Sequence, residues 1–568
     1  MAEGDIRKVY VASSSMISPL GSSVEENMKA IEQYKSAISL VDDRSVFCMP
    51  LYAAKISEDI SYGDKLSILE GRAVLSVKRA LEALGKEPDE EFLDDVQLIF
   101  SSTKGDIGFL DPLKADFDER VFLYHTAKVV ADFFKIKREP LVISNACISG
   151  VNAVITGSRL LRSGFCNNAI ILGADLLSRF VVTGFYSFHS ISTVPCTPYD
   201  AGRDGLTLGE AVGTIILTVD RGFVADADAV LVEGGGVSND ANHLSAPSRS
   251  GDGLAIAIDA AMAEAGVSPG DIDFINAHGT ATIYNDEMEA KAIHLTGLSK
   301  VPVQSLKPYW GHTLGASGVI ESIGCFWQMK HGILFGTKGY ENAGVPMEIN
   351  VTAGHRRISL KRCLKSASGF GGCNAAVIYS FDSVSKRVNS IRSSSWKEIS
   401  RFRLSGNAGF HDIIREWNRN LDNKDVKFFK MDDLSKLGYI GALALMRNFP
   451  EIDNFPPEKR ALFFANSSSS LASDLRHMAA IGREDDLLAS PAIFVYTLPN
   501  TVLGEISIKN RFKGENTFFV YDPKRKFDAE SQLLRNASLS GMDLVIAGWC
   551  DLLGEHFDLD IALYTKDA

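Results

Sequence analysis

Apolar positions along the chain follow two alternating rhythms from residue 7 onward: short β-branched runs, then stretches with helical spacing. Lys8 to Ser13 reads as a strand and Val24 to Ile38 as an amphipathic helix, and their repetition predicts an α/β fold. Val96 to Ser101, Pro140 to Ser144 and Ala169 to Leu172 are further short apolar runs bounded by turn residues or charge, as buried strands are. A second series follows with Ala229 to Glu233, Phe274 to Ala277, Val301 to Val303 and Ala375 to Ser380. Within it, Gly253 to Ala265 has helical spacing, stops at Gly266 and leads through Ser268-Pro269-Gly270-Asp271 into a strand.

The pattern then changes. From Ser383 to Ser405, Lys386, Arg387, Arg392, Lys397, Arg401 and Arg403 stand against the single acid Glu398, and the stretch reads as a solvated basic junction. Beyond it the first third of the chain recurs. Val96-Gln-Leu-Ile-Phe-Ser-Ser-Thr resembles Arg460-Ala-Leu-Phe-Phe-Ala-Asn-Ser, and Leu123-Tyr124 with Val129-Val-Ala-Asp resembles Val495-Tyr496 with Val502-Leu-Gly-Glu. Pro140 to Cys147 sits opposite Thr517 to Lys524, and Ile170 to Leu177 opposite Val545 to Leu553. Four segments in one order indicate an internal duplication, which sets Lys524 where the first copy has Cys147. The expected units are 1–220, 221–385, a junction at 386–405, and a half-domain at 406–568.

Composition narrows the classes. The 568 residues exceed one ordinary domain, and 45% hydrophobic content suits a globular protein with a large core. A net charge of −12 argues against broad nucleic-acid binding. The eight cysteines include no CxxC pair, so neither a zinc site nor a disulfide framework is expected. No apolar run is long enough for a membrane span and the start has no signal-peptide core, which leads to the expectation of a cytoplasmic protein.

Candidate chemistry gathers at glycine-framed turns. Cys147 lies where the apolar run from Pro140 breaks at Ser144-Asn-Ala-Cys and a helix begins; the unpaired N–H groups there favour thiolate and are expected to lower its pKa. His278 closes a strand and opens HGTATIYND beside Gly279, and His312 stands in Lys307-PYWGHTLGASG. Ser368-GFGGCNAA is a glycine-rich turn with Phe370 between its glycines. His411, His477 and His556 lack such framing.

NACISG (145–150), PYDAGRDGLTLGEAVG (198–213), HGTATIYND (278–286), KPYWGHTLGASGVIE (307–321) and GFGGCNAA (369–376) resemble, in that order, the motifs of the β-ketoacyl synthases, over roughly residues 5–382. The resemblance implies a thiolase-like five-layer αβαβα fold of two similar halves, here with an extra C-terminal α/β half-domain. It implies decarboxylative condensation of an acyl thioester with malonyl-acyl carrier protein, in fatty acid or polyketide synthesis. Cys147 would be the acyl-accepting nucleophile, with His278 and His312 stabilising the malonyl enolate. The backbone N–H groups of Cys147 and Phe370 would form the oxyanion hole, with Phe370 as gate, and Lys307, Glu321 and Asp286 would support the histidines. No cofactor or metal is implied. The acidic carrier protein calls for a basic rim, for which Lys65, Lys128 and Arg203 are candidates, and the family is usually homodimeric. Ser368 and Cys373 depart from the family's usual Phe and Thr, and Cys373 brings thiolase-type acyl transfer into consideration. A catalytically idle partner subunit, like a chain-length factor, is the other alternative; retention of Cys147 with both histidines favours the enzyme. The half-domain at 406–568 holds no complete Cys-His-His set and is expected to cover a surface or shape the acyl tunnel.

Overall fold

The computed structural model describes residues 7–56, 61–63, 65–114, 116–385, 395–481 and 489–567. The first sheet contains β1 (Tyr10–Ile17), β2 (Gln97–Ser101), β3 (Leu141–Ile143), β4 (Asn168–Asp175) and β5 (Ala211–Thr218), ordered β1-β5-β4-β2-β3. The second contains β6 (Val230–Asn239), β7 (Phe274–Asn276), β8 (Pro302–Gln304), β9 (Asn350–Val351), β10 (Arg362–Gly369) and β11 (Cys373–Phe381), ordered β6-β11-β10-β7-β8-β9. The two join where Tyr10 pairs with Leu231. Strands β2, β4, β5 and β6 are buried over their whole length, because helices cover both faces of each sheet.

Those helices make the layers. α1 (Ile68–Glu82) and α2 (Leu123–Phe133) lie outside the first sheet, while α4 (Asp252–Ala265) and α5 (Ile283–Leu295) lie outside the second. Between the sheets run α3 (Ser149–Arg162) and α6 (Ser317–His331). α3 is buried on all sides from Ser149 to Leu161, as a helix sandwiched by two sheets must be. The result is the expected five-layer fold.

The helix read as Val24 to Ile38 ends at Glu32, where Tyr34 turns left-handed (φ 56°) and its hydroxyl accepts from the His355 N–H. Strands β5 and β10 escaped the hydropathy reading. Gly213 and Thr214 break the apolar run of β5, and Arg362, Lys365, Ser366 and Ser368 break that of β10, although Arg362 and Lys365 are buried in ion pairs with Glu233 and Glu321.

A third group of strands, packed against α7 (Asp433–Arg447), repeats the first sheet. β12 (Trp396–Gly406), β13 (Arg460–Asn466), β14 (Asn516–Val520), β15 (Leu544–Leu553) and β16 (His556–Lys566) are ordered β14-β13-β15-β16-β12, matching β3-β2-β4-β5-β1. The likeness extends to detail. A turn at Pro523–Arg525 opens α9 (Lys526–Ser538) as one at Ala146–Ile148 opens α3, with Lys524 in the place of Cys147. The basic stretch is not all junction: residues 396–406 form β12, in which Arg401 bridges Glu398, Glu530 and Asp560. Lys386, Arg387 and Arg392 lie outside the described residues.

The repeat docks through backbone. β14 pairs antiparallel with β3 (Phe519 with Ile143, Val520 with Val142), giving one continuous ladder of sixteen strands. Asn145 extends the ladder with its side chain, donating to Asn516 O (2.6 Å) and accepting from Phe518 N (2.8 Å). Buried ion pairs Arg159–Glu515 and Lys104–Asp474, both 2.7 Å, flank this seam.

Candidate active site

The two central helices begin alike. Ala146 and Leu314 hold left-handed φ angles of 48° and 52°, and each starts one 3₁₀ turn that runs straight into α3 or α6. The first turns of these helices cross at backbone contact: a Cβ on Gly150 would lie 2.9 Å from the Gly315 carbonyl oxygen, and one on Gly318 only 2.4 Å from Val151 N. This crossing brings together residues 165 apart in sequence, placing His312 Nε2 3.1 Å from Cys147 Sγ. On the far side of the ring, His312 Nδ1 lies 3.0 Å from Ser317 Oγ, which also accepts from Thr313 N. Assigning the Ser317 hydroxyl as donor to Nδ1 puts the imidazole proton on Nε2, facing the sulfur and the cleft.

His278 follows β7, and its ring stands at 85° to that of His312, with centroids 5.1 Å apart. Its Nδ1 is buried and has no partner among the described residues. The turn that holds it is built on carboxylates. Glu289, which the sequence reading did not single out, accepts from the N–H groups of His278 (2.7 Å) and Gly279 (2.6 Å) and from the Tyr199 hydroxyl (3.0 Å). Asp286 accepts from Tyr199 N (2.8 Å) and Thr280 N (3.1 Å), and burial pushes its carboxyl up to about 7.

Below the histidines lies a buried ionic cluster. Lys307 Nζ donates to the His278 carbonyl (2.5 Å) and to Glu321 (2.7 Å), and Lys365, a second partner not anticipated, meets Glu321 at 2.7 Å. Burial, reinforced by the Lys307 charge, holds both histidines well below the ordinary imidazole range, so they are neutral at physiological pH. Burial also pushes the Cys147 thiol up to about 12 while the Lys307 charge pulls the other way. The expected lowering at a helix N-terminus is therefore corrected: the terminus is present, but desolvation outweighs it in the resting site. Cys147 Sγ and one nitrogen from each histidine lie within 4.8 Å of one another, so this trio is also the one group of three among the described residues spaced to hold a metal ion.

Two cavities meet at Cys147. An open cleft of about 320 Å³ is lined by Cys147, His278, His312, Phe370 and Asn374. A void of about 20 Å³ lies beyond, lined by Cys147, Lys104 and Phe185 together with Phe494, Thr497 and Leu498 of the C-terminal unit. Phe370 borders both. The participation of Phe494, Thr497 and Leu498 carried no motif signal, since they are ordinary apolar or hydroxyl residues brought in by the docking of the repeat.

The proposed basic rim fares differently residue by residue. Lys65 and Lys128 are on the surface and do not line the cleft, and Lys128 is paired with Asp132 at 3.0 Å. Arg203 is not a rim residue: it is buried, donates to the carbonyls of Asp200 (2.8 Å) and Gly344 (2.6 Å), and faces Asp286 at 3.7 Å, drawn inward by that acid. Cys373 is buried behind the Phe370 turn, 3.3 Å from the Phe370 carbonyl and outside the cleft lining, which removes the argument for a thiolase-type second cysteine. Ser368 Oγ donates to Asn374 (2.8 Å).

A duplicated five-layer fold whose central helix starts bring a thiol and one neutral imidazole to a cleft, with a second imidazole from the end of β7, defines a thiolase-like acyltransferase. Residues 73–221 match the β-ketoacyl synthase N-terminal domain and residues 229–341 the β-ketoacyl synthase C-terminal domain. The chain is 27% identical over 410 residues to 3-oxoacyl-[acyl-carrier-protein] synthase 2 of Vibrio harveyi, covering 66% of this chain and 98% of that protein. It is 29% identical over 419 residues to the synthase of the same name from Rhizobium meliloti (strain 1021), again covering 66% of this chain and 98% of the relative. The two domain matches place both β-ketoacyl synthase domains within residues 73–341. In fold, it is similar along 99% of its length to a PfaC keto synthase–chain length factor (TM-score 0.79, 15% identity, 78% of that chain). The ketosynthase ApeO in complex with its chain length factor ApeC from Xenorhabdus doucetiae covers 66% of this chain and 98% of its own, with TM-score 0.58 and 24% identity.

Proposed function

We propose that this enzyme condenses an acyl thioester with malonyl-acyl carrier protein, releasing carbon dioxide and forming 3-oxoacyl-acyl carrier protein. The observation that carries the proposal is the 3.1 Å contact between Cys147 Sγ and His312 Nε2, beside a second neutral imidazole whose Nδ1 has no partner among the described residues.

The chemistry divides between the groups. Cys147 attacks the acyl thioester carbonyl, the carrier thiol leaves with the proton, and the acyl chain is held on sulfur. Backbone N–H groups of Cys147 and Phe370 serve the tetrahedral intermediate; one such donor contributes roughly 10²–10³-fold in other acyl-transfer enzymes. Malonyl thioester then enters the cleft, where the neutral histidines donate to its thioester oxygen. Loss of carbon dioxide leaves an enolate at that oxygen, and its carbon attacks the acyl carbonyl and expels the Cys147 thiolate. Neutral donors suit this work, because a protonated imidazole would surrender its proton and quench the carbanion.

The C-terminal half-domain supplies no chemistry in this reading, since Lys524 stands where a nucleophile would be. It walls the acyl cavity and covers β3. A homodimer would then have to form through another surface, because β14 occupies the β3 edge. No helix among the described residues is long and apolar enough to cross a membrane. Mass spectrometry after incubation with acyl carrier protein thioesters should show one acyl group on Cys147 and none in Cys147→Ala. An adduct on another residue would refute the assignment.

A further inference from the structure

The C-terminal unit reaches the gate at one polar point. Asn500 precedes α8 (Thr501–Asn510), is 2% exposed, and donates from Nδ2 to the Phe370 carbonyl at 2.8 Å. Its Oδ1 is buried without a partner among the described residues, so the side chain is held there by this donation and by a long contact to Cys373 Sγ (3.7 Å). Packing against the backbone of this turn is close. Gly371 has φ 87°, and a Cβ there would lie 2.4 Å from Asn500 Nδ2; a Cβ on Gly504 of α8 would lie 2.8 Å from the Gly371 carbonyl oxygen. The synthase holds the same turn from the other side, through Gly371 N to Leu244 O (2.6 Å) and Asn239 Nδ2 to Gly371 O (2.8 Å).

The turn carries Phe370, whose ring packs against Phe185 and Phe188 with centroids 5.8 and 5.3 Å apart and closes the inner void. That void, about 20 Å³, has room for a methyl group or one water but not for a longer acyl chain. Because the neighbouring rings box Phe370 in, admitting a longer chain moves its backbone, and the carbonyl of that residue is the one Asn500 holds. Resting on the condensing-enzyme reading above, we infer that Asn500 is a positioning residue of the acyl gate: its hydrogen bond belongs to the closed state, so the C-terminal half-domain sets which acyl lengths reach Cys147. A donor that binds only the closed state biases the gate by its own strength.

The test compares single-turnover acylation of Cys147 by acetyl and octanoyl carrier-protein thioesters in the full-length wild type, Asn500→Leu and Asn500→Asp. Both substitutions keep the side chain's approximate size, and both remove the donor. Loss of a neutral hydrogen bond corresponds to a shift of about fivefold, so the octanoyl-to-acetyl rate ratio should rise about fivefold in both variants. Acetyl transfer should stay near the wild-type rate. A merely structural role would slow both substrates together, and an unchanged or lowered ratio in either variant, folded by circular dichroism, overturns the inference. If the wild type acylates Cys147 with neither substrate, the functional reading itself has failed.

Discussion

Cys147 is poised rather than ionised. Its thiol is raised to about 12 by burial, while its neighbour His312 is neutral and within hydrogen-bond distance. Labelling by iodoacetamide should therefore climb about tenfold per pH unit from pH 7 to 9 without levelling, since only the thiolate reacts. Levelling below pH 8 would show that the His312 contact and the helix terminus outweigh desolvation. The identity of Cys147, His278 and His312 was legible from their glycine framing, because close backbone crossings need Gly150 and Gly318. Glu289, Lys365 and Phe494 were not. A buried acid or lysine gives no local signal of its partners, and Arg203 looked exposed only because its partner Asp286 is 83 positions away in sequence.

Among the elements, the C-terminal repeat is the informative one. Its strand order was foreshadowed by four matched segments, yet its outer strand β12 was hidden in a stretch read as a linker because Lys397, Arg401 and Arg403 alternate with apolar residues on an edge strand. Phe518, Phe519 and Val520 of β14 are fully buried at the seam. Each such side chain contributes about 1.5–3 kcal/mol when buried. A chain ending at 395 should consequently aggregate or lose its cooperative melt, and recovery of a soluble, fully active 1–395 fragment would show that the repeat is an independent appendage. Lys524 is exposed at the turn before α9, so Lys524→Ala should turn over at the wild-type rate; abolished turnover in the folded variant would contradict a non-chemical role.

The molecule as a whole joins synthase and repeat through buried polar groups, and these make its stability sensitive to acid. His477 of the repeat lies at the seam beside Phe180 (3.0 Å from Nε2 to the carbonyl), where burial lowers it to about 4. Its folded-state value is below the unfolded value near 6.5. The unfolded chain therefore binds the extra proton, and the contribution of the neutral ring is complete above pH 6.5 and lost as pH falls toward 4. Relative to His477→Gln, which retains a donor, wild type should lose about 2 kcal/mol between pH 7 and 5 in urea unfolding. Parallel pH profiles for the two proteins would mean that folding leaves the His477 pKa at its unfolded value.

The division of labour within the site is tested most directly by resolving the two half-reactions in His278→Ala and His312→Ala. Acyl transfer to Cys147, followed by intact-protein mass spectrometry, should persist in both variants. Decarboxylative formation of 3-oxoacyl-carrier protein from malonyl-carrier protein should fall by about 10²–10³-fold or more, since enolate stabilisation belongs to the second step. Equal loss of both half-reactions, or condensation that survives in either variant, would contradict the account.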